Sequence, residues 1–308
     1  MSEKFIVTAA LTGAIHTPTM SPYLPITPDE LAEEARRSYE AGAAVVHVHA
    51  RNPETGQPSA DSNIFGEILS KIKEKSKAVI CTTTGGGFGM TVEQRVSVVK
   101  TYSPEMASLN AGSLNFALHL ILEKMKEFKH DWEPQYLGMS EDFIFPNTFK
   151  TLSEFSRFFA AEDTKPEFEV YDAGMLSNLA FLLRRTEIKK PVYLQFVLGI
   201  LGGMEATLNN LVFLYNSAKE IIGDDFVWSV CAAGKHQFKM CNAALLMGGF
   251  TRVGLEDNLY LEKGRLAKSS AEQVEKIVRI AREHGIEPAT PEEAREILNL
   301  KGIDQVKY

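Results

Sequence analysis

Cysteine is scarce in this chain: Cys81, Cys231 and Cys241 are the three, and no CxxC pair occurs. That excludes a disulfide framework and reads as small buried thiols kept reduced in a cytoplasm. Long apolar runs are missing as well, and none approaches the roughly 20 residues that a membrane span needs. The opening MSEKFIVTAALTGA has one lysine and only a short apolar run, so it does not read as a signal peptide. No Lys/Arg-rich block stands out and the formal charge is −7, which argues against nucleic acid as a main partner, because phosphate binding needs a basic surface. No Ser/Gly linker or low-complexity segment interrupts the 308 residues, so 1–308 reads as a single domain. No GxGxxG follows the first β-rich run, which disfavours a dinucleotide-binding sheet.

What is present is a rhythm of short apolar runs and amphipathic helices, repeated eight times. The expected strands are 5–14, 43–50, 78–84, 105–110, 167–173, 192–198, 226–232 and 251–255. Most are continuous apolar runs rather than in/out alternations, as parallel strands covered by helices require. Capping signals punctuate the helices between them: Thr27-Pro28-Asp29-Glu30, Thr91…Gln94, Ser270…Gln273 and Thr290…Glu293, with Gly42 as a stop. Eight β–α units in this length predict a (β/α)8 TIM barrel. The segment 123–147 is longer than an ordinary βα connection and is expected to form an elaborated loop after strand four.

Residues 45–50 read VVHVHA. Positions i and i+2 of a strand share a face, so His47 and His49 point together, into the barrel near its C-terminal mouth. Two neutral imidazoles on one face supply two of the three protein ligands of a catalytic metal site. For a lone histidine, a satisfied core residue is the better reading; for HxH ending a valine strand, the metal is. Near the C-terminus stands FTRVGLEDN, where Arg252, Gly254 and Glu256 share one face. Strands two and eight are both even and feed the same barrel layer, so Glu256 is the expected third ligand. A His2Glu set with an open position suits Zn2+, with another divalent metal as the alternative.

Arg252 and Asp257 add a positive clamp and a candidate base, and Glu169 ends strand five as a carboxylate in apolar surroundings. The bland alternatives are ion pairs that close the barrel end. TTTGGGFG (82–89) offers backbone N–H groups and hydroxyls for a carboxylate or phosphate, and LGILGGM (198–204) would let a ligand pass close to the backbone. Ser108 and Asn110 end strand four. His119, His130 and His284 read as surface residues, and His236 opens the helix after strand seven.

Taken together, TAALTGA (8–14), HVHARNPETGQPS (47–59), TTTGGG (82–87), PEMASLNAGSLNF (104–116), PEFEVYDAGM (166–175), QFVLGILGGM (195–204), RVGLEDN (252–258) and ATPEEAREIL (289–298) resemble the beta-keto acid cleavage enzyme family, whose best-known type is the 3-keto-5-aminohexanoate cleavage enzyme. The resemblance implies a zinc-dependent barrel, an acyltransferase that converts a β-keto acid and acetyl-CoA into acetoacetate and a new acyl-CoA. It implies His47, His49 and Glu256 as zinc ligands and Thr83, Gly86 and Ser108, beside Asn110, at the keto-acid site. It assigns Arg252, Asp257 and Glu169 to catalysis, with Asp257 as base, and suggests a homo-oligomer, by likeness a tetramer.

The sequence departs from the type enzyme in one place. An acidic residue follows T-G-A there, whereas this chain reads TGAIH, with Ile15 and then His16. An aliphatic side chain cannot pair with an ammonium group, so the expected substrate lacks a distal ammonium and carries a neutral tail, or an anionic one met by His16. Two other classes remain in view. A metal-dependent hydrolase of the amidohydrolase type also uses HxH, but with more histidines on later strands. A non-catalytic CoA- or metal-binding barrel is disfavoured by the polar residues grouped with the ligand set.

Overall fold

The computed structural model describes residues 4–308. Eight parallel strands close into a barrel: β1 Val7–Ala10, β2 Val45–Val48, β3 Val79–Thr82, β4 Met106–Asn110, β5 Lys165–Val170, β6 Val192–Leu198, β7 Phe226–Ala232 and β8 Phe250–Val253. Arg252 pairs in register with Thr8, which closes the ring between β8 and β1. Strand residues are buried on both faces apart from Phe226 and Val227, which explains why the sequence shows runs instead of alternation. Among the described residues ten α-helices accompany the barrel: α1 Pro28–Glu40, α2 Ser62–Lys75, α3 Val92–Tyr102, α4 Trp132–Met139, α5 Phe149–Ala161, α6 Ala173–Leu183, α7 Leu208–Ile222, α8 Gln237–Leu246, α9 Ser270–Glu283 and α10 Pro291–Leu298. No helix among the described residues is long and apolar enough to cross a membrane.

The capping boxes at Thr27/Glu30, Thr91/Gln94 and Thr290/Glu293 form as read, each satisfying two backbone donors at a helix start. The fourth start signal is displaced by one residue. Ser269, not Ser270, caps α9 by accepting from Glu272 N, while the Ser270 hydroxyl accepts from Leu255 N at 3.2 Å.

Six of the eight strands are shorter than expected, the first and the last for evident local reasons. The first run splits: Lys4–Phe5 pairs with Glu287–Pro288 at the barrel floor, and the strand proper ends at Ala10. The last strand ends at Val253 because Gly254 turns at φ +148°, pressed so close to Ala10 that a Cβ there would lie 2.0 Å from its carbonyl oxygen. Glu256 therefore reaches the site from a tight turn, not from a continued strand.

The loop after β4 is larger than 123–147. It runs from the end of β4 to the start of α5 and carries a small hairpin (Leu114–Asn115 with Ile144–Phe145), two short 3-10 turns and α4. It is tied across the barrel mouth to the β1 and β2 loops. Glu133 accepts from Thr19 N and Oγ1 at 3.1 and 2.9 Å, Trp132 Nε1 donates to Thr55 O at 3.1 Å, and Tyr136 donates to Ala14 O at 2.9 Å.

Candidate active site

The mouth of the barrel holds a cavity that opens to solvent. Its floor is polar and comes from strand ends; its walls are aromatic and come largely from the loop after β4. His47 and His49 point into it from β2 and the residue after it, with ring centroids 5.2 Å apart. Glu256 Oε1 lies 3.7 Å from His47 Nε2 and 3.4 Å from His49 Nε2. All three side chains are buried. Metal bonds of about 2.0–2.2 Å in tetrahedral array would separate ligand atoms by roughly 3.4 Å, so this spacing suits one ion. The other carboxylate oxygen, Glu256 Oε2, is buried with no protein partner. Such an orphan is costly unless something outside the protein satisfies it. Burial pushes the His47 imidazole well below its ordinary range, which keeps it neutral, as a ligand must be.

Arg252 organises the acids around this set. Its Nη2 donates to Glu256 Oε1 at 2.6 Å and to Asp257 Oδ1 at 2.9 Å, its Nε to Asp257 Oδ2 at 2.9 Å, and its Nη1 to Glu169 Oε1 at 3.2 Å. Three carboxylates around one buried guanidinium keep it protonated against the pull of burial. The acids respond differently. Burial raises Asp257 and Glu169 above the usual carboxylate range, with Arg252 opposing. Burial also works to raise Glu256, but Arg252 and the two imidazoles outweigh it and hold that group well below the usual range. Asn110 Nδ2 donates to Glu169 Oε2 at 2.8 Å and fixes the carboxylate that braces Arg252.

The glycine-rich turn after β3 differs from its expected form. Its N–H groups at Gly85 and Gly86 are spent on Thr83 Oγ1, at 3.0 and 3.4 Å. With both lone pairs occupied, the Thr83 hydroxyl has its proton free to donate into the cavity that Thr83 and Gly86 line. Ser108 sits deeper, where its hydroxyl accepts from Thr84 N at 3.4 Å, and it does not line the cavity. Ile15 does line it, together with the aromatic wall of Phe88, Phe116, Tyr136, Phe143 and Phe145. His16 does not. Its Nδ1 is bonded to Leu255 O at 2.8 Å and its ring faces an adjoining cavity, so it is not placed to meet a substrate tail here. Among the described residues, none of His119, His130, His236 or His284 enters the site.

Sequence reasoning missed three contributors. Arg51 is fully buried and donates to Thr12 Oγ1, Thr12 O, His16 O and Gly56 O, pinning the β1 and β2 loops together. Its signal was available: His47, His49 and Arg51 continue the same period-2 face. Glu167, two residues before Glu169 on the inner face, lies beneath the site beside Cys81. Burial lifts it to about 8, so it is a neutral acid at the barrel core. Phe143 and Phe145 had no readable signal, since they lie in a segment without a motif, and Phe116 closes the stretch PEMASLNAGSLNF without having been singled out.

Comparison with known proteins agrees with this geometry. A family model described as beta-keto acid cleavage enzyme matches residues 4–300. The 3,5-dioxohexanoate:acetyl-CoA acetone transferase of Paraburkholderia graminis is 45% identical over 306 residues, covering 99% of each chain. The 3-keto-5-aminohexanoate cleavage enzyme of Fusobacterium nucleatum is 40% identical, covering 98% of this chain and 100% of that one. The solved ternary complex of ObcA with a C4-CoA adduct and oxalate shares the fold with a TM-score of 0.71 at 22% identity, over 91% of this chain and 68% of that one. A barrel whose mouth groups two strand-borne histidines with Glu256, matched along nearly its whole length by that model and those relatives, belongs to the beta-keto acid cleavage enzyme family.

Proposed function

We propose that this protein uses a divalent metal, zinc, to transfer the acyl part of a β-keto acid to CoA, taking acetyl-CoA and the keto acid and releasing acetoacetate and a new acyl-CoA. The observation that carries the reading is Asp257, held by two bonds from Arg252 in the same cavity as the His47–His49–Glu256 donor set. His47, His49 and Glu256 would hold the ion, and two imidazoles with one carboxylate are a zinc set. When bound, it would supply Lewis-acid stabilisation of the negative charge that develops on the substrate's keto and carboxylate oxygens.

The chain's own residues do the rest. The Thr83 hydroxyl donates to the substrate carboxylate above the Gly86 turn. Asp257 takes a proton from C2 of the keto acid; burial, which raises its pKa, makes it a better base than an exposed aspartate. The C2 carbanion attacks the acetyl carbonyl, forming a new carbon–carbon bond and releasing CoA thiolate. The thiolate adds to C3, the C2–C3 bond breaks, and C2 recovers its proton from Asp257. Atoms balance as acetoacetate plus acyl-CoA. Arg252 holds Asp257 in place, and Glu169, fixed by Asn110, braces Arg252.

Ile15 and the aromatic wall fit an uncharged tail. The carboxylates that line the cavity, Glu169, Glu256 and Asp257, are already engaged by Arg252, so a tail ammonium there would be desolvated without a free partner. The relative from Paraburkholderia graminis is named for 3,5-dioxohexanoate, a keto acid with such a tail; the same class is assigned here. Three buried free thiols suit a reducing cytoplasm. The apolar face of α7, with Leu208, Val212 and Phe213 exposed, suits a homo-oligomer, by family likeness a tetramer.

The test is turnover of metal-loaded protein with keto acids whose tails are neutral, cationic or anionic, with and without acetyl-CoA, followed by mass spectrometry. Acetoacetate formed only with acetyl-CoA, and fastest from the neutral tail, supports the reading. Product without acetyl-CoA points to a hydrolase. No product from any member leaves a metal-binding barrel.

A further inference from the structure

The far side of His47 is occupied by a thiol. Its Nδ1 lies 3.5 Å from the sulfur of Cys81, which among the described residues is the one hydrogen-bond partner of that nitrogen. The sheet itself makes this contact: His47 on β2 and Cys81 on β3 are register partners. Paired residues on neighbouring strands about 4.8 Å apart point to one face, so the two side chains must meet. Cys81 in turn lies 4.0 Å from Glu167 Oε1 on β5, and all three side chains are buried. Neither Cys81 nor Glu167 lines the cavity; they stand beneath it.

We infer that Cys81 is a positioning residue for His47: its sulfur accepts from Nδ1–H and so fixes the tautomer and ring direction that present Nε2 to the metal. The inference rests on the metal reading above and adds a group behind the ligand. A neutral imidazole carries one proton, and with Nε2 turned toward Glu256 at 3.7 Å that proton belongs on Nδ1. The partner behind a ligating histidine is usually a carboxylate, a carbonyl or water. A thiol is a weaker acceptor with a longer reach, so it orients the ring while adding little negative charge to it. Less charge on the ligand suits a Lewis acid, which must draw electron density from the substrate oxygens. His47, Cys81 and Glu167 also bring ligand atoms within 4.8 Å of one another. A second ion held there is the rival reading, and it would make Cys81 a ligand.

The experiment measures zinc affinity by competition with a chelator, and the visible spectrum with cobalt in place of zinc, in wild type, Cys81→Ala, Cys81→Val and Cys81→Ser. C81A and C81V remove the acceptor, one leaving a gap and the other filling it. Both should weaken zinc binding by about tenfold or more and alter the cobalt bands in the visible range. C81S keeps an acceptor in place and should stay within about threefold of wild type. Melting of the metal-free proteins separates this from simple packing. A thiol that only fills space would lower the melting temperature of C81A, recover it in C81V and leave zinc affinity unchanged in both, which refutes the inference. Should C81A fail to fold, C81V against C81S decides it. Two ions bound per chain, with an intense near-ultraviolet thiolate-to-cobalt band in wild type, would also overturn it. A wild type that binds no zinc would sink the metal reading and this one together. Zinc bound in the expected order of variants, without acetoacetate formed, would sink the proposed reaction and leave the role of Cys81 standing.

Discussion

Gly13 and Glu256 are packed backbone against side chain: a Cβ on Gly13 would stand 2.3 Å from Glu256 Cγ and 2.8 Å from its Cδ. Gly13 also sits at φ +60°, which side chains other than glycine's rarely accept. The carboxylate of Glu256 is not free to swing aside, because Arg252 holds it at 2.6 Å. Gly13→Ala should therefore displace Glu256, not merely crowd it. The expected result is a folded protein, with backbone strain of about 1–2 kcal/mol, that retains less zinc after dialysis and loses at least about tenfold in activity. Elemental analysis beside circular dichroism checks this. Wild-type zinc content in a folded variant would mean that Glu256 is not a ligand, or is not positioned by Gly13.

How far the sequence spoke is clear from this corner of the site. The HxH pair was legible because strand period fixes the direction of a side chain whatever the tertiary context. Glu256 was reached by the same period carried on from Arg252, yet the strand stops at Val253 and a turn delivers the residue. The barrel was legible because each βα unit repeats the same apolar run and capping signal. Arg95 was not legible as a buried residue, and Arg51 was legible only through the period-2 face it shares with His47 and His49. Arginine is mostly a surface type, and most of their partners are backbone carbonyls, which carry no residue identity in a sequence. The aromatic wall was hidden for a related reason: the rings of Phe88 and Phe143 meet at 4.6 Å across 55 positions of chain, and although Phe88 lies in the glycine-rich turn, nothing local marks Phe143.

Ile15 supplies a prediction about substrate choice. It lines the cavity where a tail would pass, and the acids of that cavity, Glu169, Glu256 and Asp257, are already engaged by Arg252. Ile15→Glu should move the preference toward a keto acid with an ammonium tail. The ratio of kcat/KM values for cationic over neutral tails should rise by about tenfold or more, equivalent to about 1.4 kcal/mol. A ratio that does not move would place the tail elsewhere.

Arg95 should matter to the loop over the mouth without touching substrate. Its Nε donates to Thr84 O at 2.7 Å, Nη1 to Pro146 O at 2.9 Å and Nη2 to Asn147 Oδ1, and its guanidinium stacks over Phe145 and Phe155 at 4.9 and 5.2 Å. It thus joins the glycine-rich turn to the base of the long loop. Arg95→Met keeps much of the apolar volume but leaves buried acceptors unpaired, at a cost of about 2–4 kcal/mol. Protease cuts within 111–148 should appear earlier than in wild type, and KM for the keto acid should rise more than kcat falls. An unchanged digestion pattern would argue that the loop is held by Glu133 and Tyr136 alone.

Glu34 provides a pH test away from the metal set. It is buried on α1 and accepts from the N–H groups of Ser270 and Ala271 at the start of α9. Burial raises its carboxyl above the ordinary range, and those two bonds only partly offset the shift. A carboxyl whose folded pKa is raised contributes most stability below its unfolded value, and that contribution is lost as pH rises through the folded value. Glu34→Gln keeps an acceptor for the helix start and cannot ionise. The difference in melting temperature between E34Q and wild type should therefore shift in favour of E34Q as pH rises from about 4 to about 7. Glu34→Ala, which removes the acceptor, should be less stable than E34Q by about 1 kcal/mol across the range. A Gln-versus-Glu difference that stays flat, or shifts toward wild type, would mean that the Ser270 and Ala271 bonds dominate and the carboxylate is stabilised in the fold.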